Sequence, residues 1–273
     1  MMQQKLIEDA VSSYNTVAMK LVEALTKKET DDEAVNRLYE GLKEHRKTIK
    51  RLFKDAPSLE VYKPEIRKAL TAIRDNKDIF KSLASLHPID EETISDYYSG
   101  IDYVIEINGE YDLENFILRR MEVGALIIGK TPSPRILRLF DKIKELYMFG
   151  SYEATIVFCR ALIEETLKKT YHNQHPNIAR HDIDRMELYT LLGKINFPSH
   201  AANLKAELDN VRNDANRVLH HAMFDDRSTR TINVKHSTGS FYVKKKDTAL
   251  IQKSALSAIR ASTRAIEAFL VGG

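Results

Sequence analysis

The sequence predicts an all-α protein: an N-terminal helical module over residues 1–130, then a second helical domain over residues 131–273. Two observations carry this prediction. Apolar residues recur at the three-and-four spacing of an amphipathic helix through most of the chain. The sharpest break in that pattern is Thr131-Pro132-Ser133-Pro134, where each proline removes a backbone donor and restricts the residue before it.

In the first module, Leu6, Ala10, Val11, Tyr14, Val17, Ala18, Leu21 and Leu25 form one stripe and predict a long first helix. A second helix follows from Asp32 to Phe53 with Leu38, Leu42, Ile49 and Leu52 inward, and Ala56-Pro57-Ser58 ends it. Ile66, Leu70 and Ile73, then Phe80, Leu83 and Leu86, predict further helical pieces up to Pro88. Asp90-Glu91-Glu92 opens another helix carrying Ile94, Tyr98, Ile101 and Ile105, because acidic residues in a first turn suit the helix dipole. One more is expected from Leu113 to Ile128.

In the second domain the pattern predicts helices at about 135–148, 151–171, 185–195, 199–223 and 247–270. Between the last two, Thr231-Ile-Asn-Val-Lys and Phe241-Tyr-Val-Lys flank Ser237-Thr238-Gly239, which predicts a short β-hairpin.

Composition bounds the function. At 273 residues, 43% hydrophobic and 30% charged, the chain is long enough for one large or two modest cores, which excludes disordered and collagen-like classes. Its one cysteine, Cys159, closes no intramolecular disulfide and sits in an apolar run as a small hydrophobe, which fits a reducing cytoplasm. Glu8 and Asp9 interrupt any signal-peptide core, and no run reaches the ~20 apolar residues of a membrane span. Cytoplasmic location without membrane attachment is therefore expected. The net charge of +3 hides an asymmetry of −4 over residues 1–130 and +7 over 131–273, which suits a polyanionic partner for the second half.

Context decides how several motifs read. Gly124-Ala-Leu-Ile-Ile-Gly129-Lys130-Thr131 matches the phosphate-loop pattern letter for letter, but that loop needs a preceding strand and a helix opening at Lys-Thr. Pro132 and Pro134 deny it that helix. His172, His175, His181, Asp182 and Asp184 lie around Pro176 in what reads as a surface loop, without the fixed helical spacing that presets metal ligands. No metal and no cofactor are expected. Lys43, Arg46, Lys47, Lys50, Arg51 and Lys54 form a basic stripe on the second helix, read as a solvated face. Nine acids fall between Lys81 and Arg119 without one Lys or Arg, a surface able to dock onto the basic half.

The most informative constellation is Leu208-Asp-Asn-Val-Arg212-Asn-Asp-Ala-Asn216-Arg217-Val-Leu-His220-His221. Arg212, Asn216 and His220 recur every four residues and share one helix face, beside core positions Leu204, Leu208 and Val211. An arginine to bind phosphate, an amide to orient it and an imidazole to move a proton are the parts of metal-independent RNA cleavage. The same row also suits a buried polar network pinning two helices, with His220 near the helix end.

These residues resemble the HEPN superfamily, and most nearly its uncharacterised branch in bacterial restriction and phage-defence proteins. The likeness begins at Leu146-Tyr147-Met-Phe-Gly150-Ser-Tyr152-Glu-Ala154 and continues through Phe158-Cys159-Arg160-Ala161-Leu162-Ile163-Glu164. It runs on through Leu188, Leu191, Leu192 and Ile195, then the Leu208–His221 signature, and closes at Thr248–Leu270. It covers residues 136–270, and no resemblance is drawn for residues 1–130.

The resemblance implies a four-helix bundle, homodimerisation that joins two motifs in one cleft, and metal-independent endoribonuclease activity. It assigns Arg212, Asn216 and His220 as catalytic, with Arg160 and Glu164 facing them. Arg212 and His220 enclose seven residues, where active members enclose four to six, and Ala215 stands where the branch has glycine.

Arg217 and His221 are further candidates for gripping RNA, as are Lys235, His236, Lys244, Lys245 and Lys246 of the hairpin, with Tyr242 to stack on a base. Two functions are thus expected. One is an RNA-binding defence or toxin-type ribonuclease; the other is a noncatalytic adaptor whose dimer presents the N-terminal module to a protein partner.

Overall fold

The computed structural model describes residues 2–26, 32–56, 59, 62–86, 109, 112–124, 133–201, 203–220, 229–236, 239–246 and 248–271. It is mostly helical and divides into two compact units, Met1–Ala125 and Leu126–Gly273. The helix expected at Asp90–Ile105 lies outside the described residues, as do Gly129-Lys130-Thr131 and His221.

The first unit contains α1 (Met2–Leu25), α2 (Asp32–Asp55), α3 (Lys63–Leu86) and α4 (residues 112–123). Its interior follows a strict alternation of four and three. Ile7, Val11, Tyr14, Ala18 and Leu21 are buried on α1, and Val35, Tyr39, Leu42, Arg46, Ile49 and Phe53 on α2. Ile66, Ala69, Ile73, Asn76, Phe80 and Leu83 follow on α3. A mean spacing of 3.5 is the heptad period, which keeps one seam of each helix inward over its whole length.

The inward face of α2 corrects the sequence reading. Leu38 and Leu52 are half-buried, while Arg46, assigned to a solvated basic stripe, is buried. A register one step away puts Tyr39 and Phe53 inside, and Arg46 falls between Leu42 and Ile49 on the same seam. The two pieces expected between Ile66 and Leu86 are one continuous helix.

Polar contacts order the four helices. α1 packs on α2 and on α3. Gln4 Nε2 donates to Glu65 Oε1 at 2.8 Å and Tyr62 donates to Gln3 Oε1 at 3.3 Å, so α1 and α3 start at the same end. α4 meets α2 through the Lys50–Asp112 ion pair and through Arg120, and meets α3 through Glu114. Of the nine acids expected to dock elsewhere, Asp112 and Glu114 are thus paired inside this unit, and the other seven lie outside the described residues.

The second unit contains α5 (Pro134–Met148), α6 (Tyr152–Gln174), α7 (Arg180–Asp184), α8 (Leu188–Lys194), α9 (Leu204–Leu219) and α10 (Thr248–Ile266). Strands β1 (Thr229–His236) and β2 (Gly239–Lys246) pair antiparallel, with Thr229 opposite Lys246 and His236 opposite Gly239. α6 is the hub, packing against α5, α7, α8, α9 and α10.

A hub helix must be buried on several faces, and α6 buries ten residues from Tyr152 to Tyr171. Three of these are threonines, each donating its hydroxyl to the carbonyl one turn back: Thr155 to Ser151, Thr166 to Leu162 and Thr170 to Thr166. Polar side chains thereby enter the core with their hydrogen bonds made. α10 approaches α6 with Ala255, Ala258, Ala261, Ser262 and Ala265 buried, small residues that let helices come close.

The turn from α5 into α6 is a Schellman motif. Gly150 N–H donates to Tyr147 O at 2.9 Å and Ser151 N–H to Leu146 O at 2.9 Å. Gly150 has φ +77°, a conformation glycine enters without a Cβ clash. The stretch expected to be a loop through Asp184 holds the short helix α7. Likewise α9 begins at Leu204 after a 3-10 turn at Ser199–Ala201 rather than at residue 199.

Candidate nucleic-acid interface

Helix α9 turns Leu204, Leu208, Val211 and Ala215 into the core, and α6, α8 and α10 pack around it. That fixes its outer edge. Arg212 and Asn216 lie half-buried along this edge, and His220 stands exposed just past the last helical residue. The His220 backbone N–H donates to Asn216 O at 3.0 Å, a last helical hydrogen bond that makes His220 the C-cap residue of α9. Each four-residue step rises about 6 Å along the axis, placing the Arg212 and His220 backbones roughly 12 Å apart.

The Arg212 guanidinium is held on three sides. Its Nε donates to Asp209 Oδ1 at 2.8 Å and its Nη2 to Asn213 Oδ1 at 2.9 Å. Its face lies over the ring of Tyr189, 5.3 Å from the centroid. Tyr189 is 68% exposed, although it is a large aromatic on a short helix that buries Leu188, Leu191 and Leu192. The sequence reading missed it; its only signal was an aromatic out of phase with α8's leucines.

Other candidates are placed differently. Glu164 accepts from Lys168 at 2.7 Å, and the same ammonium donates to Asp184 O at 2.8 Å. Arg160 is half-buried on α6. Among the described residues neither Arg160 nor Glu164 hydrogen-bonds to Arg212, Asn216 or His220. Arg217 lies 3.8 Å from Asp214, whose carboxyl is raised above its ordinary pKa by burial, against the opposing pull of Arg217.

Lys235 and Tyr242 lie on β1 and β2, with Lys235 opposite Ser240 and Tyr242 opposite Asn233, and Lys244 and Lys245 follow on β2. Among the described residues no three His, Cys, Asp or Glu side chains are grouped to hold a metal ion, and no helix is long and apolar enough to cross a membrane. Compared with known proteins, the chain matches no family model, no curated protein and no solved structure.

Proposed function

We propose that the second unit is a HEPN-like nucleic-acid-binding module of a prokaryotic defence or toxin-type system, and that RNA lies along the outer edge of α9. The observation that carries this reading is the Arg212–Asn216–His220 row bordered by the exposed ring of Tyr189. Cation, amide, imidazole and aromatic face together match what single-stranded RNA offers: phosphate charge, acceptor oxygens and unstacked bases.

If the module cleaves, the ribose 2′-OH attacks the adjacent phosphate and the P–O5′ bond breaks, leaving a 2′,3′-cyclic phosphate and a 5′-hydroxyl; His220 takes the 2′ proton or gives one to the leaving 5′ oxygen, Arg212 stabilises the developing charge and Asn216 positions the phosphate. The Arg212 and His220 backbones stand roughly 12 Å apart along α9, and the Arg212 donors are turned to Asp209 and Asn213. Cleavage therefore calls for a homodimer in which His220 of one copy meets Arg212 of the other.

A second reading is favoured by Arg212 itself, whose donors already serve Asp209 and Asn213. In that reading the module is a noncatalytic scaffold for a protein partner. The deciding experiment incubates labelled total RNA with wild type and His220→Ala in excess chelator, with filter binding run in parallel. The first reading expects RNA retention that weakens in His220→Ala, with cleavage by wild type alone if the module is an enzyme. Absence of both binding and cleavage in wild type would sink it in favour of the scaffold.

A further inference from the structure

A cleft of about 260 Å³ opens in the second unit where the N-terminus of α5, the last turns of α6 and helix α7 converge. It is floored by buried Ile183. Its polar rim sorts into groups already engaged and groups left over. Glu165 is engaged by Arg135 at 3.2 Å, and Asp184 faces Arg180 at 4.0 Å. Lys168 is engaged by Glu164 and the Asp184 carbonyl.

The remainder are donors. Lys169, His172 and Asn173 stand at i, i+3 and i+4 on one exposed face of α6, and none of their side chains has a polar partner among the described residues. Across the cleft the Ser133 hydroxyl precedes α5 and makes no capping hydrogen bond.

Donors left over in a cleft whose carboxylates face arginines call for an acceptor-rich ligand. An anion with several oxygens satisfies ammonium, imidazole, amide and hydroxyl together, and charge-assisted bonds of this kind are the strong ones. The space holds several times the ~30 Å³ of one water, so it takes more than a bare ion. We infer that this cleft binds a small phosphate monoester, its phosphate held by Lys169, His172, Asn173 and Ser133 and its carbon skeleton resting on Ile183. The site is separate from the α9 row and does not depend on the RNA reading. It also gives His172, set aside as part of a surface loop, a place in a built cleft.

The test is calorimetric titration of the full chain with ribose 5-phosphate, with ribose and inorganic phosphate as separate arms. Expected is saturable one-to-one binding of ribose 5-phosphate in the millimolar range or tighter, stronger than either control. Lys169→Ala/His172→Ala should weaken it by about tenfold or more, and so should Asn173→Asp, which sets a carboxylate in the cleft. All three residues are exposed, so unchanged thermal unfolding is expected and is checked alongside. Failure to saturate, affinity unchanged in both variants, or inorganic phosphate binding as tightly as the monoester would each overturn the inference.

Discussion

The Arg120 guanidinium closes the end of a helix it does not belong to: its Nε donates to the Phe53 carbonyl at 3.1 Å. Nη2 reaches Ala56 O at 2.5 Å and Nη1 reaches Gly124 O at 3.0 Å. The last carbonyls of α2 lack intrahelical partners and carry the negative end of its dipole. A planar fork donating to two carbonyls at the end of α2, and with its remaining nitrogen to the Gly124 carbonyl just past its own helix, answers both needs. Arg120→Met keeps the bulk and removes the donors, and should destabilise the first unit by about 3 kcal/mol. Arg120→Lys should recover only part of that, since one ammonium cannot span three carbonyls. Urea unfolding midpoints of the three proteins check this, and equal midpoints for Lys and Arg would show that the fork does not matter.

Glu114 sets a pH dependence. Burial alone would raise its pKa, yet hydrogen bonds from Lys77 and Arg74 outweigh burial and hold the carboxyl below the ordinary 4.5. A carboxyl depressed in the folded state contributes stability that is present above its unfolded pKa and lost as pH falls through the folded one. The first unit should therefore weaken on acidification below about pH 4.5. Glu114→Gln should be less stable at pH 7 and lose part of that acid slope. Denaturant midpoints across this range measure it, and parallel curves for the two proteins would contradict the assignment.

Helices were legible wherever apolar periodicity was strong, as in α1, α5 and α10, because a packed stripe writes itself directly into sequence spacing. The seam of α2 was not. A buried arginine reads as surface in any hydropathy pattern, and only contact with residues from another helix reveals the role of Arg46, Glu114 or Arg120. At the α9 row the spacing of Arg212, Asn216 and His220 was readable, since it needs only helical geometry. The engagement of Arg212 by Asp209, Asn213 and Tyr189 was not, because it depends on rotamers and on α8. The short α7 escaped because five residues carry too little periodicity.

Asn76 occupies a core position of α3 at 1% exposure, and among the described residues its Nδ2 finds no acceptor. A lone polar residue on a heptad seam typically fixes register at a cost in stability. Asn76→Leu should raise the stability of the first unit by about 1–2 kcal/mol. Thermal unfolding reads the gain, and a loss of stability would show that the amide makes a contribution its geometry does not reveal.

Burial pushes the Cys159 thiol up to about 12, against a smaller opposing effect of the Ser262 hydrogen bond from α10. The thiolate is the reactive form, so a fully buried thiol with this pKa should ignore thiol reagents at pH 8. Expected is no fast labelling of the native protein and one equivalent after denaturation. Labelling rates in rising urea would then report opening of the α6–α10 contact. Rapid reaction of the native protein would mean that this contact opens readily.

The two ends of the α9 row should separate structure from binding. Arg212→Ala removes two hydrogen bonds and a ring contact, and should destabilise the second unit by about 1 kcal/mol. His220 is exposed and bonds to Asn216 through its backbone N–H, which alanine keeps, so His220→Ala should stay within about 0.5 kcal/mol of wild type. A loss of RNA retention in His220→Ala would then reflect the interface and not the fold. Chemical denaturation of both variants beside filter binding at several salt concentrations provides the measurement. If His220→Ala destabilises as much as Arg212→Ala, the row is a structural network along its whole length, and His220 cannot be assigned to the interface.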